Sequence, residues 1–142
     1  MPRSTDASTF AGDRPPPPGP TEWRAVAPDN LRVIENHWKR ITHVHTKDVR
    51  MEVINGLDRT KESFLDAVIK GAFTVPGDGS LDFEAIVKKL AGYGYEGWFV
   101  VEAEQDPKAN PPQKMAEVGY KELMRVMTAA GYTVETQGFP DA

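Results

Sequence analysis

The stretch from Gly97 to Ala103, GWFVVEA, constrains the fold more than any other part of the sequence. Four consecutive large apolar residues are typical of a strand covered on both faces, and such strands occur in parallel sheets. Glu102 directly follows this run, where an unpaired carboxylate is costly. It should either pair with a Lys or Arg of a neighbouring strand or bind a cation, and the sequence leaves both possibilities open.

A second strand is predicted over Ile41 to Val49, which is rich in β-branched residues and alternates with a period of two. One face carries His43, His45 and Lys47, and the other carries Thr42, Val44 and Thr46. His43 lies deeper in the strand, so it is a candidate either for a hydrogen-bonded core histidine or for a functional residue.

Apolar residues at helical spacing predict four helices around these strands. They are residues 29–40 behind an N-cap at Asp29, residues 61–70, a helix capped by Ser80 or Asp82 that stops near Gly92, and residues 112–130 with Gly131 at the end. We expect Tyr120, Leu123, Met124 and Met127 to form the buried face of the last helix. The cluster from Pro76 to Ser80 predicts a loop, whose turn chemistry explains it better than phosphate binding does.

Strands that alternate with helices in this way indicate right-handed β/α units. Parallel strands place ligand-binding groups at their carboxyl ends, where this sequence has His45 to Asp48 on one strand and Glu102 to Glu104 on the other. Lys47 and Arg50 are candidates for binding an anionic or hydroxyl-rich substrate, or simply for pairing with acids such as Asp48. We therefore expect the functional site at this rim.

The absence of cysteine limits the chemistry available there. With no Cys among 142 residues, only His, Asp and Glu are plausible metal ligands, and an imidazole with a carboxylate suits Mn²⁺, Co²⁺ or Zn²⁺. A net charge of −4 without a basic face argues against nucleic acid as a partner. No apolar run reaches the length of a membrane span, so we expect a cytoplasmic protein.

The first 28 residues differ in composition from the rest. They hold seven of the twelve prolines and few large apolar side chains, which predicts a disordered tail. We expect the folded segment to span residues 29–135, and residues 136–142 to form a second short tail.

Three segments together resemble one enzyme family. They are HVHTKDVR at 43–50, FTVPGDGSLDF at 73–83 and YEGWFVVEAEQDP at 95–107. In order and spacing, residues 29–130 resemble the C-terminal part of the myo-inosose-2 dehydratases, within the xylose-isomerase-like superfamily of sugar isomerases and epimerases. The resemblance implies an α/β fold consisting of about the last two β/α units of a (β/α)8 TIM barrel.

The resemblance also implies a function for the rim residues. His45 and Glu102 would be two of four ligands to a divalent metal, with Mn²⁺ or Co²⁺ favoured. Lys47 would act as a catalytic residue in the dehydration of 2-keto-myo-inositol during inositol catabolism, and His43, Arg50 and Glu104 would bind the substrate. The implied partner is therefore a small polyol or keto-inositol.

Two alternatives to an autonomous dehydratase remain. One is a sugar isomerase or epimerase of the same superfamily, which would use the same metal ligands. The other is an inactive segment of a barrel, because a full barrel takes ~250 residues. Such a segment would need a second chain, or self-association, to cover its open strand edges.

Overall fold

The computed structural model of the chain describes residues 26–134. These residues form five α-helices and four strands, joined by one 3₁₀ turn at Trp38–Arg40. In chain order the elements are α1 (Val26–His37), β1 (His43–Thr46), β2 (Asp48–Val49), α2 (Met51–Asn55), α3 (Phe64–Ile69), β3 (Phe73–Thr74), α4 (Phe83–Gly92), β4 (Trp98–Val101) and α5 (Pro112–Ala129).

The four strands make two separate pairs. Strands β1 and β4 are parallel, with His43 opposite Trp98 and Thr46 opposite Val101. Strands β2 and β3 are antiparallel, with Asp48 opposite Thr74. The parallel β1–β4 pair, with helices between its strands along the chain, confirms the predicted α/β class.

The core lies on one side of the parallel pair. One cluster joins Ile34 of α1, Leu90 of α4 and Tyr95, with Val44 and Phe99 packed against it. A second cluster joins α4 to α5 and also receives Phe99 and Val101; its buried members are Val87, Leu123 and Val126. Helix α4 therefore lies between α1 and α5 and connects both to the sheet.

Helix α4 forms as its sequence predicts. The Asp82 side chain accepts a hydrogen bond from the Ala85 amide at 2.9 Å, which satisfies a free N–H of the first turn. Phe83, Val87 and Leu90 are buried on the same face. The amphipathic pattern and the N-cap at Asp82 are both confirmed.

The predicted bounds of the early elements need correction. Helix α1 begins at Val26, three residues before the predicted cap at Asp29, and the predicted strand 41–49 is divided into β1 and β2. Lys47 separates these two strands, because the chain leaves the parallel pair there and turns to join β3. The short helix α2 and the strand β3 were not predicted.

Predictions of burial are also wrong on three elements, namely β4, α3 and α5. Trp98 is 74% exposed, so the described residues cover β4 on only one face. In α3, the predicted apolar stripe leaves Phe64, Leu65 and Ile69 largely exposed, and only Ala67 is buried. Tyr120 is 52% exposed, since α5 packs through Gly119, Leu123 and Val126.

Both predicted tails lie almost wholly outside the described residues. The disordered tail was predicted for residues 1–28, but residues 26–28 belong to α1, so its boundary is wrong. The described region covers residues 26–134, so the disorder of residues 1–25 and the tail at residues 136–142 stay predictions. Within the described part, no helix has both the length and the apolarity needed to span a bilayer.

Candidate active site

The carboxyl ends of β1 and β4 bring together the polar residues that the sequence placed there. In the parallel register Thr46 lies opposite Val101, and the Glu102 amide donates to the Thr46 carbonyl at 3.2 Å, so the pairing extends to Glu102. Side chains two residues apart share a face of a strand. His45 and Lys47 therefore lie on the same side as Glu102, on the face that the helices leave open.

Glu102 is the centre of this group. Its Oε2 contacts His45 Nδ1, and its Oε1 lies 2.8 Å from Lys47 Nζ. Lys47 Nζ also lies 2.7 Å from an oxygen of Glu104. The predicted ion pair between Glu102 and a neighbouring lysine therefore exists, alongside the contact with the imidazole that metal binding would need.

These contacts change the proton affinities of both partners. Hydrogen bonds from Lys47 and then from His45 lower the pKa of Glu102. Partial burial lowers the pKa of Lys47, but hydrogen bonds to Glu102 and Glu104 outweigh it and leave the pKa raised. At neutral pH the pair is thus a carboxylate beside an ammonium, and Lys47 is a proton donor and not a base.

His43 is exposed next to His45, and their ring centroids are 5.2 Å apart. The interpretation of His43 as a core histidine is therefore wrong. Its imidazole lies on the open face of β1, two residues before His45, which is consistent with a role near the site.

Arg50 contacts other partners than the Glu102 group. Its guanidinium binds the Asp78 carboxylate and donates to the Gly71 carbonyl at 2.8 Å. Asp78 also accepts from Thr74 Oγ1 at 2.5 Å, and Gln105 donates to that hydroxyl at 3.3 Å. Lys47 and Arg50 do pair with acids, as one of the two interpretations predicted, but their partners are Glu102, Glu104 and Asp78 and not Asp48.

Asp48 is a residue that the sequence analysis misjudged. Its side chain is fully buried, and Oδ1 accepts hydrogen bonds from three amides, those of Val49, Ser80 and Leu81, at 2.7, 3.0 and 2.9 Å. Burial raises its pKa, and these amides oppose the rise. Its place on the inward face follows from the alternation of the strand, which was the one available signal.

The 76–80 loop is held by contacts with β2. Two amides at its end, from Ser80 and Leu81, are occupied by Asp48, and the Ser80 amide also lies 2.9 Å from the Val49 carbonyl. The preference for turn chemistry over phosphate binding agrees with these contacts.

The rim holds part of a possible metal site. His45 and Glu102 supply one imidazole and one carboxylate in contact, a donor pair that suits a borderline divalent ion. Among residues 26–134, however, no group of three or more potential ligands is assembled. The described residues thus fit two ligands of a metal site and not a complete one.

Comparison with known proteins identifies the family. A family model for the xylose isomerase-like TIM barrel matches residues 20–130. The chain belongs to this family. Among curated proteins, the rhizopine catabolism protein MocC of Rhizobium meliloti is 47% identical over 108 residues, which are 76% of this chain and 33% of that protein.

Inosose dehydratases match with similar strength. That of Geobacillus thermodenitrificans is 60% identical over 84 residues, covering 58% of this chain and 28% of the enzyme. That of Salmonella typhimurium is 46% identical over 95 residues, covering 67% and 32%. The motif resemblance is thereby confirmed, and the chain spans about a third of the length of the curated relatives it matches.

Proposed function

We propose that this chain carries one part of the active site of a metal-dependent dehydratase that removes water from 2-keto-myo-inositol in inositol catabolism. The observation that supports it best is the convergence of His45, Lys47 and Glu102 at the carboxyl ends of two parallel strands. In TIM barrels this end of the sheet holds the active site. The likeness to inosose dehydratases supplies the substrate class.

The reaction requires one proton to leave a carbon next to the ketone and one hydroxyl to leave the next carbon as water. The breaking C–H bond provides the electrons of the new C=C bond, and the departing hydroxyl takes up a proton. A divalent cation bound by His45 and Glu102, with Mn²⁺ or Co²⁺ favoured, would supply Lewis-acid polarisation of the ketone.

Lys47 is assigned to the acid side of this chemistry. Its raised pKa keeps it an ammonium, which can donate a hydrogen bond to the ketone oxygen or a proton to the departing hydroxyl. Glu104 shares the Lys47 ammonium with Glu102 and holds it at the rim. The base that removes the carbon-bound proton is not assigned to any of these residues.

Substrate hydroxyls need polar partners beside the reacting carbons. His43 is exposed on the same face as His45, and the Glu104 side chain is 46% exposed, so both are open to a polyol. Arg50 is the third candidate, although its guanidinium is engaged by Asp78 and Gly71. We assign these three residues to substrate binding.

The site is proposed to be completed by further strands of the same barrel type. Strands from the same polypeptide, another copy or another chain would pair with the edges of β1 and β4 that no described residue pairs, and the open face would then line the barrel interior. The two remaining metal ligands of the family would come from them. This arrangement also accounts for the exposure of Trp98.

The test combines the chain with 2-keto-myo-inositol and Mn²⁺ or Co²⁺, with and without a co-expressed N-terminal part of the Geobacillus relative. We expect the ultraviolet absorbance of the conjugated hydroxy-enone product, which is the enol form of a diketone, at a rate that falls at least 100-fold in H45A and in E102Q. H37A is the matched control, because His37 lies at the end of α1, and it should retain full rate.

Product analysis separates the dehydratase from an isomerase or epimerase. A new sugar epimer without hydroxy-enone absorbance would overturn the dehydratase proposal and leave the metal assignment intact. Unchanged rates in H45A and E102Q would overturn the assignment of the site itself.

A further inference from the structure

We propose that Asp48 is a positioning residue that fixes the 76–80 loop and, through Asp78, the guanidinium of Arg50. The role of Arg50 in binding a hydroxylated substrate rests on the proposed function. The placement of the guanidinium by Asp48 rests on the contacts of the structure alone. Asp48 itself touches no reacting group in this account.

The buried carboxylate of Asp48 contacts the loop directly. A fully buried carboxylate is expensive unless its oxygens are well bonded. Here Oδ1 receives three backbone donors, two of them from Ser80 and Leu81, about thirty residues away in the chain. Oδ2 has no hydrogen-bond partner among the described residues. One oxygen atom thus holds the end of the loop in place.

The loop backbone approaches Asp48 closely at Gly79. A Cβ atom built on Gly79 would lie 2.4 Å from both Cγ and Oδ1 of Asp48 and 2.7 Å from the Val49 carbonyl oxygen. Real Cβ atoms do not approach so closely, so only glycine lets the loop backbone reach the buried carboxylate. Gly79 and Asp48 therefore form one unit, in which the small residue makes room for the acceptor.

The loop also contacts Arg50, through Asp78. Asp78 immediately precedes Gly79, and its carboxylate binds one guanidinium nitrogen of Arg50 while the Gly71 carbonyl binds another. On the other side, Ser80 Oγ accepts from the Met51 amide at 3.2 Å. The loop thus contacts the chain on both sides of Arg50. Moving the loop would move the partner that orients the guanidinium.

The charge of Asp48 distinguishes positioning from simple packing. An ionised acceptor bonds amides about twice as strongly as a neutral one. Asparagine at this position keeps an oxygen of the same size but loses that strength, whereas alanine removes the acceptor altogether and leaves the Ser80 amide only its second acceptor, the Val49 carbonyl. The two variants therefore separate loss of shape from loss of bonding.

The experiment measures the full chain, uniformly labelled with ¹⁵N, by nuclear magnetic resonance. Two quantities are followed: hydrogen exchange of the Ser80 and Leu81 amides, and the Nε–Hε signal of Arg50, assigned with the R50K variant. We expect exchange of the Leu81 amide to accelerate about tenfold in D48A and by a smaller factor in D48N. The Ser80 amide should accelerate less, because it keeps the Val49 carbonyl as an acceptor. The Arg50 signal should move toward the position of a free arginine, and further in D48A than in D48N.

Two controls isolate the individual contacts. D78N should move the Arg50 signal and leave the exchange of Ser80 and Leu81 within about twofold, because it removes the guanidinium contact and keeps Asp48. S80A should change neither quantity strongly, because it removes only the Met51 contact. Where D48A loses the dispersed spectrum of a folded chain, D48N provides the same comparison.

The outcomes are decisive in both directions. Faster exchange in D48N with an unmoved Arg50 signal would show that Asp48 holds the loop only, which overturns the positioning role. No change in either quantity would overturn the whole proposal.

Titration with 2-keto-myo-inositol keeps the two proposals distinguishable. If 2-keto-myo-inositol moves the Arg50 signal, D48N and R50K should each weaken its binding to the chain, and the two effects should not add in the double variant. If the wild-type chain does not respond to the ketose, the proposed substrate fails while the link from Asp48 to Arg50 still stands on the exchange data.

Discussion

At the scale of single residues, three carboxylates near the end of β1 occupy three different environments. Glu102 is paired with a lysine and an imidazole, Glu104 shares that lysine at the surface, and Asp48 is buried among backbone amides. The period-two alternation predicted which residues of this strand share a face. It did not predict that Asp48 binds the 76–80 loop, because that contact depends on a pairing of β2 with β3 that two-residue strands do not signal.

The buried carboxyl of Asp48 should make its own contribution to the pH dependence of stability. Burial raises its pKa above the ordinary value of 3.8, so the folded state holds this proton more tightly than the unfolded state. The corresponding stabilisation is complete below the unfolded pKa and is lost as the pH rises through the folded pKa. We expect the D48N variant, which has no such group, to gain stability relative to wild type over that range.

The measurement is urea unfolding of wild type and D48N at a series of values from about pH 4 to pH 7. Other acids, such as Glu102 and Glu122, have lowered pKa values and act in the opposite direction in both proteins. Taking the difference between the two proteins cancels them. A difference that is independent of pH would contradict the expectation.

At the scale of elements, helix α5 reaches the sheet through a glycine. A Cβ atom at Gly119 would lie 2.7 Å from Val101 Cγ1 and 3.0 Å from Val75 Cβ. The sequence predicted α5 and its end correctly, but it assigned Tyr120 to the buried face. A buried helix face is predicted from the spacing of large apolar side chains. A close approach of the helix backbone to the sheet needs a small residue instead, so that spacing does not reveal it.

Replacement of Gly119 by alanine should therefore destabilise the protein, although alanine is the better helix former. We expect a loss of about 1 to 3 kcal/mol from overpacking. Gly92 is the matched control: it ends α4 with nothing within 4 Å of a built Cβ, so G92A should raise stability by up to about 1 kcal/mol. Thermal unfolding of both variants measures the effects, and a stabilised G119A would show that α5 packs differently.

The start of α4 provides a second prediction for this scale. Loss of the Asp82 side-chain acceptor leaves the Ala85 amide without its capping bond, so D82A should cost about 1 kcal/mol of unfolding free energy. D82N keeps an acceptor at the same place and should cost only a few tenths as much. Equal losses in the two variants, measured by urea unfolding, would argue against a capping role.

At the scale of the whole molecule, the described residues cover one face of a two-stranded parallel sheet. The apolar run from Trp98 to Val101 predicted cover on both faces, and the core clusters supply it on the helix side alone. The run predicts that the strand is buried, but a pattern within one strand does not identify the residues that cover it, because those residues are distant in sequence.

The open sheet leads to a prediction about metal affinity. Two protein ligands do not complete the coordination of a divalent ion, so we expect Mn²⁺ to bind the chain alone no more tightly than about 10⁻⁵ M. Calorimetric titration measures this, with H45A as the variant that should abolish the remaining heat and H37A as the one that should not. Submicromolar binding by a monomer would contradict the proposed division of the ligand set.

The chain passes from the parallel pair to the antiparallel pair across Lys47 alone. Side chains at odd positions here lie on the open face, and side chains at even positions are buried. Insertion of one residue directly after His45 would turn the Lys47 ammonium inward and the buried Asp48 carboxylate outward, although both residues would still be present. At this junction, homologous sequences would therefore have to preserve the spacing between His45 and Asp48 more strictly than the identity of any one residue.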